Sequence, residues 1–328
     1  MNRPGFFAQR ISPRVAPVHL LLFSAPVMWA GNFIVGRALR GDVPPVSLNF
    51  WRWTVALAIL LPLNFGRLRR QRALLLAHWK LLLALGLSGV AGFNTFAYQA
   101  LNATTAINAL LFLSTVPLLM ALLSRLAYND ALNAWQLFGI LLSLPGAAIL
   151  IAHGDLTNLL HMHFNRGDVW MLGAVLVWTV FSVLLKQAPP ELPKGALLTA
   201  TVLVGLTAFA PVYAWRLAAG ERAAFTVSTM AGMLYVGLFA SVIAFYFWSK
   251  GMAEVGPGKG GVYMNVMPLA GTFFAITLLG ESLAHYHLFG GALVAGGIVL
   301  TNRRTPTPAG APKWLRLWPR LIKRENPA

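Results

Sequence analysis

Long stretches of this chain carry no Asp, Glu, Lys or Arg. Residues 15–36, 131–154, 195–215, 260–280 and 282–302 are such runs, 223–249 is a longer one, and 81–124 has room for two crossings. Each reaches the ~20 residues that an α-helix needs to cross ~30 Å of hydrocarbon. Two further apolar stretches, 46–65 and 167–186, complete a set of ten. The predicted spans are 18–36, 46–65, 80–100, 105–126, 133–152, 167–186, 195–215, 228–249, 259–279 and 284–302, with "LNATT" (101–105) as one turn. Composition agrees: 57% of the residues are hydrophobic and 11% charged, against roughly a quarter charged in soluble domains. So little polar surface does not cover a core of this size, and the lipid bilayer becomes the expected solvent. Arg3, Arg10 and Arg14 before an apolar run resemble a secretory signal, but this run exceeds a usual signal core and nine more follow it.

The net charge of +17 raises nucleic acid as a partner. Its placement argues against that. With the N-terminus in the cytoplasm, Arg37, Arg40, Arg166, Arg216 and Arg222 fall outside and Arg52 falls within a span. The other Lys and Arg, including "RLRRQR" (67–72) and the tail "KWLRLWPRLIKR" (313–324), fall on the cytoplasmic side. This is the positive-inside bias, and it predicts a multi-pass membrane protein with both termini cytoplasmic. The tail, broken by Pro319, either lies on anionic lipid or is a solvated extension.

A shift of 151 residues aligns the two halves. Gly86 and Leu87 meet Gly237 and Leu238, Phe96 meets Phe247, Pro117 meets Pro268, and "DALNAWQLFG" (130–139) meets "ESLAHYHLFG" (281–290). At a shift of 149, "MWAGNFIVGR" (28–37) falls on "VWTVFSVLLK" (177–186). The divisions are a segment 1–16, a first repeat 17–154, a second repeat 155–304 and a basic tail 305–328. Five spans per half is an odd number, so the second half enters the membrane in the opposite sense. Inverted repeats of this kind build many secondary transporters, with the substrate between the halves near the midplane.

"WAGNF" in the first span, the arginine early in span two, the proline in span four and the acidic residue before "LFG" resemble the drug/metabolite transporter superfamily, in its EamA-type repeat. Within that group the chain is similar to bacterial amino-acid exporters, including the aromatic amino-acid type, from 17 to 304. The resemblance implies ten helices around a central cavity lined by spans one, three, four, six, eight and nine, with five and ten peripheral. It implies a small molecule as the partner, with amino acids foremost. No nucleophile elbow, HExxH or paired carboxylate appears in the sequence, so neither enzymatic activity nor a cofactor is expected, and a monomer is the working expectation.

Trp29, Asn32, Phe33 and Gly36 share one helical stripe, and their mates are Trp178, Phe181, Ser182 and Leu185. Either the stripe lines a cavity or it packs helix on helix. Asn94 with Tyr98, and Asn108 with Phe112, repeat a polar-plus-aromatic pair at i, i+4; the mates of the second pair are Lys259 and Tyr263. Amides bond a carboxylate or ammonium while rings contact a side chain or cation. Tyr246 and Trp248 complete the candidate substrate set, with Asn265 and Ser114 as lesser members. Pro117 and Pro268 each remove a helical hydrogen bond and are predicted kinks, as hinges or as shape. Arg37 and Arg52 approach the external face, where each either snorkels to headgroups or serves as a gate or carboxylate attractor; Lys259 has the same ambiguity inside.

Other chemistries fail on residues. "GPGKGG" (256–261) lacks the first glycine and the Ser or Thr of a phosphate loop. "HMH" (161–163) with His153 lacks an obvious fourth metal ligand. There is no cysteine, hence no thiolate or disulfide. Asp130 and Glu281 read as caps or loop anchors. No acidic residue lies deep in a span, which favours facilitated export over a carboxylate proton relay. A sugar, nucleotide-sugar or cationic-drug carrier of the same fold, or a passive channel, are the alternatives to amino-acid export.

Overall fold

The computed structural model describes residues 16–104, 106–130, 132–157, 165–279 and 284–303. Glu281, the "HMH" stretch and the tail lie outside them, as do the side chains of Arg37 and Asn108. We label the principal helices α1 (Ala16–Ala38), α2 (Pro45–Arg70), α3 (Trp79–Ala103), α4 (Ala106–Ser114 continued by Val116–Tyr128), α5 (Ala134–Ile151), α6 (Arg166–Leu184), α7 (Lys194–Ala218), α8 (Val227–Val255), α9 (Pro257–Gly260, Gly261–Asn265 and Val266–Leu279 in succession) and α10 (His285–Thr301). A short helix, Arg72–Ala77, precedes α3.

Eight of these, α1 to α8, are long and apolar enough to cross a membrane. The last two differ from the sequence expectation. α9 is in pieces, with a four-residue turn from Pro257 and a 3₁₀ stretch Gly261–Asn265 before the regular Val266–Leu279. Gly256, at φ 83°, makes the turn between α8 and α9 in the backbone region that favours glycine. α10 is apolar but has only 17 residues.

The helices exchange neighbours between the halves. α1 packs on α8 and α9, while its mate α6 packs on α3 and α4; α2 packs on α7, and α5 on α10. Glycine sets the closest approaches. A Cβ on Gly139 would lie 2.6 Å from the Gly297 carbonyl oxygen, and one on Gly146 would lie 2.8 Å from that of Gly290. α5 and α10 therefore meet backbone to backbone, which is how helices associate where lipid removes the hydrophobic drive between them.

Breaks also come in pairs. α4 is interrupted at Thr115, two residues before Pro117, and α9 turns regular at Val266, two before Pro268. Neither Pro117 nor Pro268 has an N–H to continue the ladder. Wider π-helical turns occupy Gly86–Gly92 in α3 and Val236–Ile243 in α8, again at matched positions. A π turn leaves carbonyls out of the regular ladder, and side chains of other helices collect them. Asn49 Nδ2 donates to the carbonyls of Val90 (3.2 Å) and Ala91 (3.4 Å), and Trp29 Nε1 donates to that of Ala240 (2.9 Å).

Asp130 anchors the α4–α5 link: it is ion-paired with Lys186 at the end of α6 and accepts from Ser124 Oγ. The cap of α5 is Asn133, whose side chain accepts from Gln136 N while Gln136 Oε1 accepts from Asn133 N. Asn133→Ala is expected to remove about 1 kcal/mol, read as a lowered midpoint in thermal unfolding; the half-exposed Asp130–Lys186 pair is worth less, below about 1 kcal/mol.

Candidate polar hub and aromatic cluster

Arg52 lies two turns into α2 and is fully buried. The snorkelling alternative is thereby excluded: a side chain with no exposed surface does not reach headgroups. Its Nη1 donates to Asn94 Oδ1 (2.6 Å), Tyr98 Oη (2.8 Å) and Asn32 Oδ1 (3.1 Å), and its Nε donates to Ser241 Oγ (2.8 Å). Tyr98 Oη in turn donates to Asn32 Oδ1 at 2.7 Å. Four helices, α1, α2, α3 and α8, thus converge on one guanidinium. Gly36 makes this possible, because a Cβ there would stand 3.0 Å from the Tyr98 ring.

The partners of Arg52 are neutral. Nη2 of Arg52 and Nδ2 of Asn94 are buried without an acceptor. A cation in the membrane interior costs several kcal/mol unless its surroundings compensate, and a guanidinium offers five N–H donors. The hub satisfies the Nε and Nη1 side and leaves Nη2 unmet. Trp53 places its ring centroid 5.3 Å from the guanidinium carbon, adding a cation–π contact.

Beside the hub, rings from both halves pack on one another. Trp178 has Trp29 at 4.9 Å, Phe93 at 4.7 Å, Phe181 at 5.2 Å, Phe245 at 5.5 Å and Trp248 at 5.8 Å between centroids. Trp248 Nε1 donates to Ser182 Oγ (3.1 Å), and Phe245 touches Trp53, which joins the cluster to the hub. This corrects the expected open cavity. The tryptophan stripes of α1 and α6 do meet, as the repeat predicts, but edge-to-face packing fills the space between them. Phe33 and Phe112 are half-buried against the same core.

Two candidates stand apart. Tyr246 is on the far face of α8 from Phe245 and Trp248, in a groove of about 790 Å³ between α2, α7 and α8 with Asn64, Arg67, Lys194 and Lys250. Tyr263 bonds His19 Nδ1 (2.6 Å) near Lys259. His19 and Asn32 are thirteen positions apart on α1, ~20 Å along the axis, so Tyr263 and Lys259 are remote from the hub. Asn265 donates to Ser143 Oγ (2.8 Å) and belongs to the α9–α5 contact, and Ser114 bonds the carbonyl of Leu111. Ser241 and Phe245 escaped the sequence reading. Their signal was the i, i+4, i+7 spacing of Ser241, Phe245 and Trp248, three positions of one stripe.

The EamA-like transporter family model matches residues 16–152 and again 165–303. The chain belongs to the EamA-like transporter family. It is a multi-pass membrane transporter whose two halves each carry the family's repeat. Among EamA-like relatives, a probable terminal-alkyne amino-acid exporter of Streptantibioticus cattleyicolor is 25% identical over 85% of this chain and 91% of its own. A probable amino-acid metabolite efflux pump of Salmonella typhimurium is 24% identical over 84% and 91%. A probable biotin transporter of Pseudomonas aeruginosa is 28% identical over 75% and 83%. A solved crystal structure shares this chain's fold at TM-score 0.70 and 20% identity, over 88% of this chain and 96% of the other.

Proposed function

We propose that the chain exports amino acids and related small metabolites across a bacterial inner membrane by alternating access. Ten spans arranged as two inverted five-helix repeats, both termini in the cytoplasm, are the topology that goes with this reading; α9 and α10 complete the set despite their broken or short helices. The observation that carries the reading is the seam. Polar donors and acceptors from α1, α2, α3 and α8 adjoin a ring cluster from α1, α3, α6 and α8, so the chemistry lies where the halves meet. A molecule with a polar head and a bulky side chain matches both parts, and parting the rings opens the site to one face at a time. Pro117 and Pro268, at the paired breaks of α4 and α9, are the proposed hinges. Of the relatives named above, one carries the name of a probable terminal-alkyne amino-acid exporter and one that of a probable amino-acid metabolite efflux pump, which supports the reading; the third is named a probable biotin transporter.

Proteoliposomes test this. Efflux of preloaded neutral and aromatic amino acids should saturate, and unlabelled substrate on the opposite side should accelerate it. Fluxes without saturation point to a channel instead. Transport confined to sugars or organic cations overturns the amino-acid assignment.

A further inference from the structure

We infer that Arg52 Nη2 and Asn94 Nδ2 form a carboxylate-binding subsite, which makes a free carboxylate on the transported molecule the requirement for recognition. The inference rests on the transport reading above and adds the group by which the cargo is chosen. Arg52 has no exposed surface, and Asn94 is 2% exposed. The acceptors on the guanidinium are two amides and two hydroxyls, all neutral. Arginine remains protonated in proteins, so the hub carries a whole positive charge that nothing bonded to it balances.

Its unmet hydrogen-bonding capacity has a definite chemistry. Nη2 and Nδ2 are both donors, and both lack an acceptor. They belong to side chains already fixed against each other by the 2.6 Å bond from Nη1 to Asn94 Oδ1. That bond aims the carbonyl of Asn94 at the cation and leaves its NH₂ free for another group. A carboxylate supplies two acceptor oxygens and the missing negative charge together, through charge-assisted bonds that are stronger than neutral ones. An ammonium in that place would repel the guanidinium and find no acceptor. The rest of the cargo then falls toward Trp53 and the aromatic cluster, whose faces accept an apolar side chain or an amino acid's ammonium. Access from the Arg40 side is foreshadowed by a cavity of about 10 Å³, room for one water, walled by Gly36, Arg40 and Tyr98. Tyr98 therefore stands between that cavity and the guanidinium.

Tryptophan-fluorescence binding and proteoliposome competition decide the matter, using one transported amino acid, its carboxamide, its decarboxylated amine and a simple carboxylate of the same side chain. The wild type is expected to bind the acid at least about tenfold more tightly than the carboxamide, since losing a charged hydrogen bond is worth a factor of that order. Arg52→Gln should weaken the acid far more than the carboxamide, so the ratio falls toward one. Arg52→Lys, which keeps the charge but loses the fork, should retain part of it. Should Arg52→Gln not fold, Asn94→Leu supplies the same comparison, and the wild-type ratio alone remains decisive. Equal affinity for acid and carboxamide, or an unchanged ratio in Arg52→Gln, overturns the subsite. If no amino acid binds but the simple carboxylate does, the amino-acid reading fails and the subsite stands. If only the amine or neutral solutes bind, the subsite fails.

Discussion

Gly86→Leu is expected to abolish correct assembly of the protein. A Cβ at position 86 would stand 2.8 Å from Gly205 N, 2.9 Å from Gly205 Cα and 3.1 Å from the Thr201 carbonyl oxygen. All three are backbone atoms of α7, so no side chain is free to swing aside, and α3 and α7 must separate. Overfilling a packed interior usually costs about 1–3 kcal/mol where side chains yield; here a whole helix has to move, so the loss is at the upper end or beyond. Size-exclusion chromatography in detergent should show the monodisperse peak replaced by aggregate. Gly66→Leu in α2, where nothing lies within 4 Å of the new Cβ, is the matched control and should elute as wild type. A normal profile for Gly86→Leu would mean that α3 and α7 do not approach as closely as described.

Trp178→Ala should be the most damaging change at the aromatic cluster. The residue has no exposed surface and touches five other rings. Its truncation leaves a large void walled by rigid rings that do not collapse, at a cost of about 3–5 kcal/mol. Trp178 Nε1 has no hydrogen-bond partner, so the loss is one of packing alone, and Trp178→Phe should recover much of it. Trp248→Ala additionally leaves Ser182 without its donor. Thermal unfolding in detergent ranks these variants. Efflux from proteoliposomes should fall to background for Trp178→Ala and only partly for Trp178→Phe. Full transport by the alanine variant would remove the ring cluster from the substrate path.

Much of this was legible in the chain. Charge-free runs located the helices, and the shift of 151 residues paired glycine with glycine and proline with proline at what prove to be paired helix breaks. The stripe containing Trp29 and Asn32 pointed inward as its spacing required. The role of Arg52 was not legible, because an arginine two turns into a span either reaches headgroups or is held inside. Here it is held by Ser241 from the other half together with Asn94 and Tyr98, and a local pattern does not contain such a partnership. Closure of the centre was illegible for a related reason. Spacing gives the face on which a ring lies, but not whether opposing rings leave room or interlock. Tyr246 shows the limit from another side, since it is one residue from Phe245 and two from Trp248 yet on the opposite face of the helix.

The π turns in α3 and α8 have a geometric effect on everything beyond them. A wider turn holds roughly one more residue than a regular one, and each added residue rotates the following helix by ~100° relative to an uninterrupted count. Asn94 and Tyr98 follow the turn in α3, and Phe245 and Trp248 follow the one in α8. Straightening either turn would swing these residues around the barrel of their own helix, off Arg52 or off Trp178, while the helix axis stayed in its seat. The bonds from Asn49 and Trp29 to the carbonyls of those turns then act as latches on rotary phase, one for each half of the molecule.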